Sequence, residues 1–262
     1  MRLYVLLIAH MLADFTLQTD EMAQRKKKEP KFLRHHCAIY AVVMAVGCFS
    51  CMGIASAFGM ILLFAITHFL IDWARTKYDP KYAKNGMKAL GSFLIDQVLH
   101  IGIILLACWL LRNQKLEGWL VHLTKHAELK QFLREILWEG CTLDQLLRYS
   151  LLFVMIMNPA SVLVKKLSNA ISAKKNVESS ENDESKGDDQ EENHAGSIIG
   201  KLERLIIVLL VMYDGYGGIG LVLAAKSMAR HEKLAEPKFA EDYLVGTLSS
   251  TVIAMVLAQW LG

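Results

Sequence analysis

Apolar residues run along this chain in long blocks broken by short basic stretches. No Asp, Glu, Lys or Arg falls between Arg34 and Asp72, and none follows Asp242. A helix needs about 20 apolar residues to cross about 30 Å of hydrocarbon. The pattern therefore predicts an all-α, polytopic transmembrane helical bundle of six to seven membrane helices, with an interfacial amphipathic segment. The first four spans are expected near Leu3–Thr19, Cys37–Ile54, Ala57–Ala74 and Ala89–Leu111. A turn around Gly53, Ser56 and Gly59 separates the second from the third, and Asp79-Pro80 marks a turn after the third. Span five, Tyr149–Val164, contains Asn158-Pro159, which predicts a kink. Two shorter apolar stretches, Ile198–Met212 and Ile219–Ala229, flank the turn 213–218, and the last span is Tyr243–Leu261.

The same pattern divides the chain. Residues 1–111 form a four-helix membrane core, and 112–148 are the amphipathic interfacial segment, with apolar positions near a 3.6-residue period. Residues 149–172 are the fifth membrane helix, 173–197 an acidic linker, and 198–262 the C-terminal membrane helices. The linker is expected to be disordered, because it has almost nothing to bury; it is also where a soluble partner would dock.

Composition agrees: 53% of the 262 residues are hydrophobic. The N-terminal stretch resembles a signal peptide, but His10 and Asp14 interrupt it and no small-residue cleavage pattern follows, so it reads as the first span. The five cysteines lie mostly in apolar runs and read as small core residues. Charge is uneven. Glu178–Glu192 carries a net −7 against a whole-chain charge of +3, which leaves +10 on the rest. The basic residues cluster beside spans, as the positive-inside rule expects, and do not imply nucleic acid. With loops 20–35, 75–88, 165–175 and 226–238 placed in the cytoplasm, the N-terminus lies outside.

Ionisable groups inside a span are costly and mark functional sites. The stretch Gly59–Tyr78 carries His68 and Asp72 one helical turn apart. The pairing recurs as His10/Asp14 and, in reversed order, as Asp96/His100. Because the fourth span runs opposite to the first and third, each Asp falls on the cytoplasmic side and each His one turn deeper. His36 opens the second span on that same side. The i,i+4 spacing puts both members of a pair on one helix face.

Imidazole nitrogens and carboxylate oxygens suit divalent transition metals such as Zn, Mn or Fe. Candidate metal ligands are His10, Asp14, His36, His68, Asp72, Asp96 and His100. The three acids, Asp14, Asp72 and Asp96, are also candidate catalytic bases. Seven donors exceed the need of one zinc ion, so either two ions bind or some groups support the ligands. Gln18 and Gln97 flank the pairs as such supporting groups. Two other readings of the same residues stay open: hydrogen bonding between helices and a path for protons or ions. Farther along, Lys226 and Arg230 are i,i+4 and suit an anionic headgroup or phosphate of a substrate; ion pairing and snorkelling at helix ends is the competing explanation.

The segments HMLADFTLQTD (10–20), HHCAIY (35–40), THFLIDWAR (67–75) and FLIDQVLH (93–100) resemble the bacterial integral-membrane family catalogued as domain of unknown function 3307. KLERLIIVLL (201–210), GLVLAAKSMAR (220–230) and DYLVGTLSS (242–250) are similar to its C-terminal half. The resemblance implies residence in the bacterial inner membrane, with membrane lipids as neighbours, and no established activity. More distantly, the His/Asp arrangement is similar to inner-membrane proteins described as metal-dependent hydrolases. That similarity implies, by analogy, a metal that activates water against a lipid-linked or phosphorylated substrate near the cytoplasmic leaflet. The runner-up activities are a proton- or ion-coupled transporter and a non-catalytic scaffold or sensor.

Overall fold

The long apolar blocks fold as helices. The computed structural model describes residues 1–82, 85–123, 142–175 and 189–262, and all regular structure among them is helical. In chain order the helices are α1 (Arg2–Met11), α2 (Asp20–Arg25), α3 (Pro30–Cys51), α4 (Ile54–Tyr82), α5 (Gly86–Leu110), α6 (Trp119–Leu123), α7 (Leu143–Lys175), α8 (Asp189–Met212), α9 (Tyr216–Ala229) and α10 (Pro237–Leu261). A π-helical turn, Leu12–Thr16, continues α1. The chain divides into two compact units: Met1–Lys81 with Gly91–Leu151, and Tyr82–Leu90 with Leu152–Gly262.

Among the described residues five helices are long and apolar enough to cross a membrane, within Pro30–Cys51, Ile54–Tyr78, Gly86–Leu110, Leu143–Ile171 and Pro237–Leu261. Their surfaces are inverted relative to a soluble bundle. On α4, Phe58, Leu62, Ile66 and Leu70 are exposed, while His68 and Asp72 are buried on the opposite side. Apolar side chains outside and ionisable ones inside are what a hydrocarbon solvent selects.

Six to seven were expected, and among the described residues the remaining apolar helices are set apart by length or by charge. The first span ends in the π turn at Thr16, so the helix covers about 22 Å at 1.5 Å per residue. The 14-residue α9 is similarly short, and α8 carries Lys201, Glu203 and Arg204 within its apolar half.

Other boundaries also move. The expected loop 20–35 contains α2, whose first turn is capped by Thr19 accepting from the Met22 N–H at 3.2 Å. It also contains the start of α3, where Pro30 occupies the first turn and needs no donor. The turn expected across Gly53–Gly59 is only Met52-Gly53; Ser56 and Gly59 are already helical. The turn expected at Asp79-Pro80 is not there, and α4 continues to Tyr82; a proline removes one helix hydrogen bond and need not end the helix. Helices α7 and α8 reach into both ends of the expected linker, to Lys175 and from Asp189, and residues 176–188 lie outside the described residues. So do 124–141, about half of the segment expected to be amphipathic.

In the N-terminal unit α1 packs closely along α3. A side chain at Gly47 would meet the Ala9 Cβ at 3.1 Å, so the small residue sets this approach. Arg2 donates to the carbonyls of Leu111 at 2.6 Å and Lys115 at 3.1 Å. That tie fixes α1 against the chain leaving α5, and with it the register of the polar residues on both.

In the C-terminal unit Pro159 lies inside the continuous helix α7, and just before it the carbonyls of Ile156 and Met157 accept from the buried Arg204 guanidinium at 2.6 and 3.1 Å. Ser161 and Ser250 accept from the same group. Replacing Arg204 with Met removes the donor that ties these carbonyls and hydroxyls together. The expected cost is about 3 kcal/mol, read as a lower melting temperature of the detergent-solubilised protein; an unchanged melting temperature would contradict this role.

Candidate metal centre

Four separate segments bring their polar side chains to one place in the N-terminal unit. They are α1 with its π turn (His10, Asp14), α3 (His36), α4 (His68, Asp72) and α5 (Asp96, His100). The four imidazoles and the carboxylates of Asp72 and Asp96 are buried, and the Asp14 side chain is 9% exposed. The π turn matters for Asp14. An inserted residue rotates the helix beyond it, and such turns are frequent at functional sites. Here it presents the carboxylate to three helices at once: Oδ2 lies 3.8 Å from His10 Nδ1, and Oδ1 lies 3.5 Å from His36 Nε2 and 3.8 Å from His68 Nε2. None of these is a good hydrogen bond, and Asp14 Oδ1 is a buried oxygen without a hydrogen-bond partner.

The imidazoles form a directed chain. His100 Nδ1 donates to its own helix, to the Asp96 carbonyl at 2.8 Å. A neutral imidazole carries one N–H, so His100 Nε2 accepts, and its partner is His68 Nδ1 at 2.8 Å. The His68 proton is then on Nδ1, and Nε2 presents a lone pair. That lone pair faces His36 Nε2 at 3.1 Å and Asp72 Oδ2 at 3.8 Å, while His36 Nε2 and Asp72 Oδ2 are 3.4 Å apart. Tyr40 stacks on the His68 ring, with centroids 3.6 Å apart and planes within 5°, and so holds its plane.

Among the described residues two groups of three donors are close enough to hold a metal ion: Asp14/His68/His100 and His36/His68/Asp72. Their geometries differ. Tetrahedral ligands about 2.1 Å from zinc stand about 3.4 Å from one another, and the second group's separations of 3.1, 3.4 and 3.8 Å bracket that value. In the first group an ion at His100 would have to displace the hydrogen bond from His68 Nδ1 or the one to the Asp96 carbonyl, both 2.8 Å. The second group therefore fits better, with Asp14 Oδ1 beside it.

The seven expected donors thus separate by role. His36, His68 and Asp72 converge, Asp14 adjoins them, and His100 orients His68. His10 and Asp96 stand outside the better group. The Asp96 carboxylate is turned to Arg75 at 2.7 Å and to the Gln97 amide at 3.0 Å. Both His10 nitrogens are buried without a hydrogen-bond partner, and the ring lies flat over His100 at a 5.4 Å centroid distance. Lys226 donates to Glu203 Oε2 at 2.6 Å, in line with the ion-pair explanation, and Arg230 closes the end of α9; both belong to the C-terminal unit.

Two cations enter the centre: the role of Lys26 escaped notice in the sequence, whereas Arg75 is visible there just after Asp72. Lys26 Nζ pairs with Asp72 Oδ2 at 2.7 Å and with Gln18 at 3.0 Å. Arg75, only three residues beyond Asp72, pairs with Asp96 instead. Nothing distinguishes Lys26 from the neighbouring bases of its loop, Arg25, Lys27 and Lys28. The i,i+4 relation of His36 and Tyr40 was the available sign of the stacking ring.

No curated protein and no solved structure matches the chain. Over residues 3–129, which hold all seven His and Asp donors, the chain matches the family model described as Protein of unknown function (DUF3307), the family its N-terminal motifs resemble.

Proposed function

We propose that the N-terminal unit is an intramembrane metal-dependent hydrolase. His36 Nε2, His68 Nε2 and Asp72 Oδ2 hold one divalent ion, and Asp14 is the general base. The observation that carries this reading is the triangle of these three donor atoms, one of them with its lone pair set by the His100 hydrogen bond, beside the unpartnered Asp14 oxygen. These three ligands would leave room for water on the ion, and the ion would supply acidification of that water and polarisation of a phosphoryl or carbonyl oxygen. His36 must carry its proton on Nδ1 to serve as a ligand, and Asp14 Oδ1, 3.5 Å from His36 Nε2, is placed to take a proton from the bound water.

The basic loops support an orientation with the N-terminus outside a bacterial inner membrane and the acid ends of the pairs toward the cytoplasm. A lipid-linked or phosphorylated substrate suits that depth, and Lys26 and Arg75 supply positive charge there. The test is phosphate release from phosphorylated lipids in proteoliposomes. Turnover that needs added metal and stops on chelation supports the reading; turnover indifferent to chelator contradicts it.

One observation favours a second reading. The contacts His36–His68–His100 are consecutive, as a proton path requires. Liposomes loaded with a pH-sensitive dye decide this: proton flux abolished by His68→Ala supports the path, and absence of flux excludes it.

A further inference from the structure

We propose that Lys26 is a resident counter-cation of the centre, displaced from Asp72 when a divalent metal ion enters. The inference rests on the metal reading above and concerns how that site is regulated. The ammonium and the ion claim the same atom: Asp72 Oδ2 is 2.7 Å from Lys26 Nζ and is also the oxygen 3.4 Å from His36 Nε2.

Charge balance points the same way. Imidazoles ligate as neutral groups, so the cluster's charges are three carboxylates, Asp14, Asp72 and Asp96, against two cations, Lys26 and Arg75. One negative charge is left over. A divalent ion added to this arrangement leaves one positive charge in excess; with Lys26 withdrawn, the count is zero. A buried site with little solvent favours the neutral combination strongly.

The two cations are not equally free to leave. Arg75 projects from the interior of the long helix α4. Lys26 stands at the C-terminal cap of the six-residue α2, at the start of the turn Lys26–Lys28. Its other polar contact is the Gln18 amide oxygen, and its flexible four-carbon stem suits withdrawal. Until metal arrives, Lys26 satisfies a buried carboxylate that would otherwise have no cation; its departure reports that the site is filled. Docking of Lys26 and binding of metal are thus linked functions, each weakening the other by the same factor.

The experiment uses the full chain in detergent, stripped with chelator and titrated with Zn²⁺ alone. Lys26→Met is expected to bind Zn²⁺ about tenfold more tightly than wild type. In parallel, wild-type protein is labelled with an amine-acylating reagent with and without Zn²⁺, and Lys26 is read by mass spectrometry. Labelling of Lys26 is expected to rise severalfold with Zn²⁺, and not to rise when His36 and His68 are both Ala. Equal or weaker Zn²⁺ binding by Lys26→Met, or Lys26 labelling that ignores Zn²⁺, overturns the proposal while leaving the metal centre standing. Absence of Zn²⁺ uptake by both proteins overturns the metal reading and this inference with it. Should Lys26→Met fail to fold, the wild-type labelling decides.

Discussion

On the proposed metal reading, His68→Ala is expected to bind a divalent ion at least about 100-fold more weakly than wild type. No other single replacement reaches as far, because His68 is the one residue shared by both three-donor groups. Its Nε2 faces His36 and Asp72, and its Nδ1 carries the contact to His100. Removing the ring leaves two of the three proposed ligands, His36 and Asp72, on different helices with nothing between them. It also removes the ring on which Tyr40 stacks, so some stability is lost as well. The control is His68→Gln, which preserves bulk and a hydrogen-bonding end but not imidazole ligation. Elemental analysis of monodisperse protein checks the prediction: both variants are expected to be metal-poor, and a His68→Gln protein with wild-type metal content would remove His68 from the centre.

His100 separates a ligand from a residue that positions one. In the structure His100 spends both nitrogens on hydrogen bonds, one to the Asp96 carbonyl and one from His68. Outer groups that fix the tautomer of a ligating imidazole are worth about 10–100-fold in metal affinity, and His100→Ala is expected to fall in that range. His100→Gln keeps an acceptor oxygen for the His68 N–H and is expected to recover most of the affinity. If His100 were itself a ligand, through the Asp14/His68/His100 group, Gln and Ala would lose metal alike. Competition against a chromophoric chelator gives both affinities, and equal losses would reassign the ligand set.

Much of this centre was legible from spacing. His/Asp pairs four apart in otherwise apolar helices share a face by helical geometry alone, and the cost of their burial makes a common polar interior necessary. That reasoning expected His36, His68, Asp72 and Asp14 to meet, and in the structure the two imidazole donor atoms lie 3.1–3.8 Å from each other and from the two carboxylates. It could not rank them, because rank depends on side-chain directions. The Asp96 carboxylate is drawn to Arg75, and His100 donates to a main-chain carbonyl; neither leaves a trace in the spacing. The π turn at Leu12–Thr16 has no local signature either, since Leu-Ala-Asp-Phe-Thr suits an ordinary helix. Lys26 was hidden among three neighbouring bases, and only packing chooses which of them turns inward. Helix ends followed similar logic. Proline and glycine suggested turns at Asp79-Pro80 and Gly59, where continuous helices run instead, because a proline forgoes only one helix hydrogen bond and a glycine forgoes none.

The central claim is that two imidazoles and a carboxylate from α3 and α4 share one ion. X-ray absorption of the metal-loaded wild-type protein, reconstituted in lipid, tests it most directly. The account predicts a first shell of nitrogen and oxygen near about 2.0–2.2 Å without sulfur, and outer-shell scattering from two imidazole rings that drops to one in His36→Ala. Protein that retains no metal, or metal surrounded only by solvent oxygens with no imidazole signal, would contradict it.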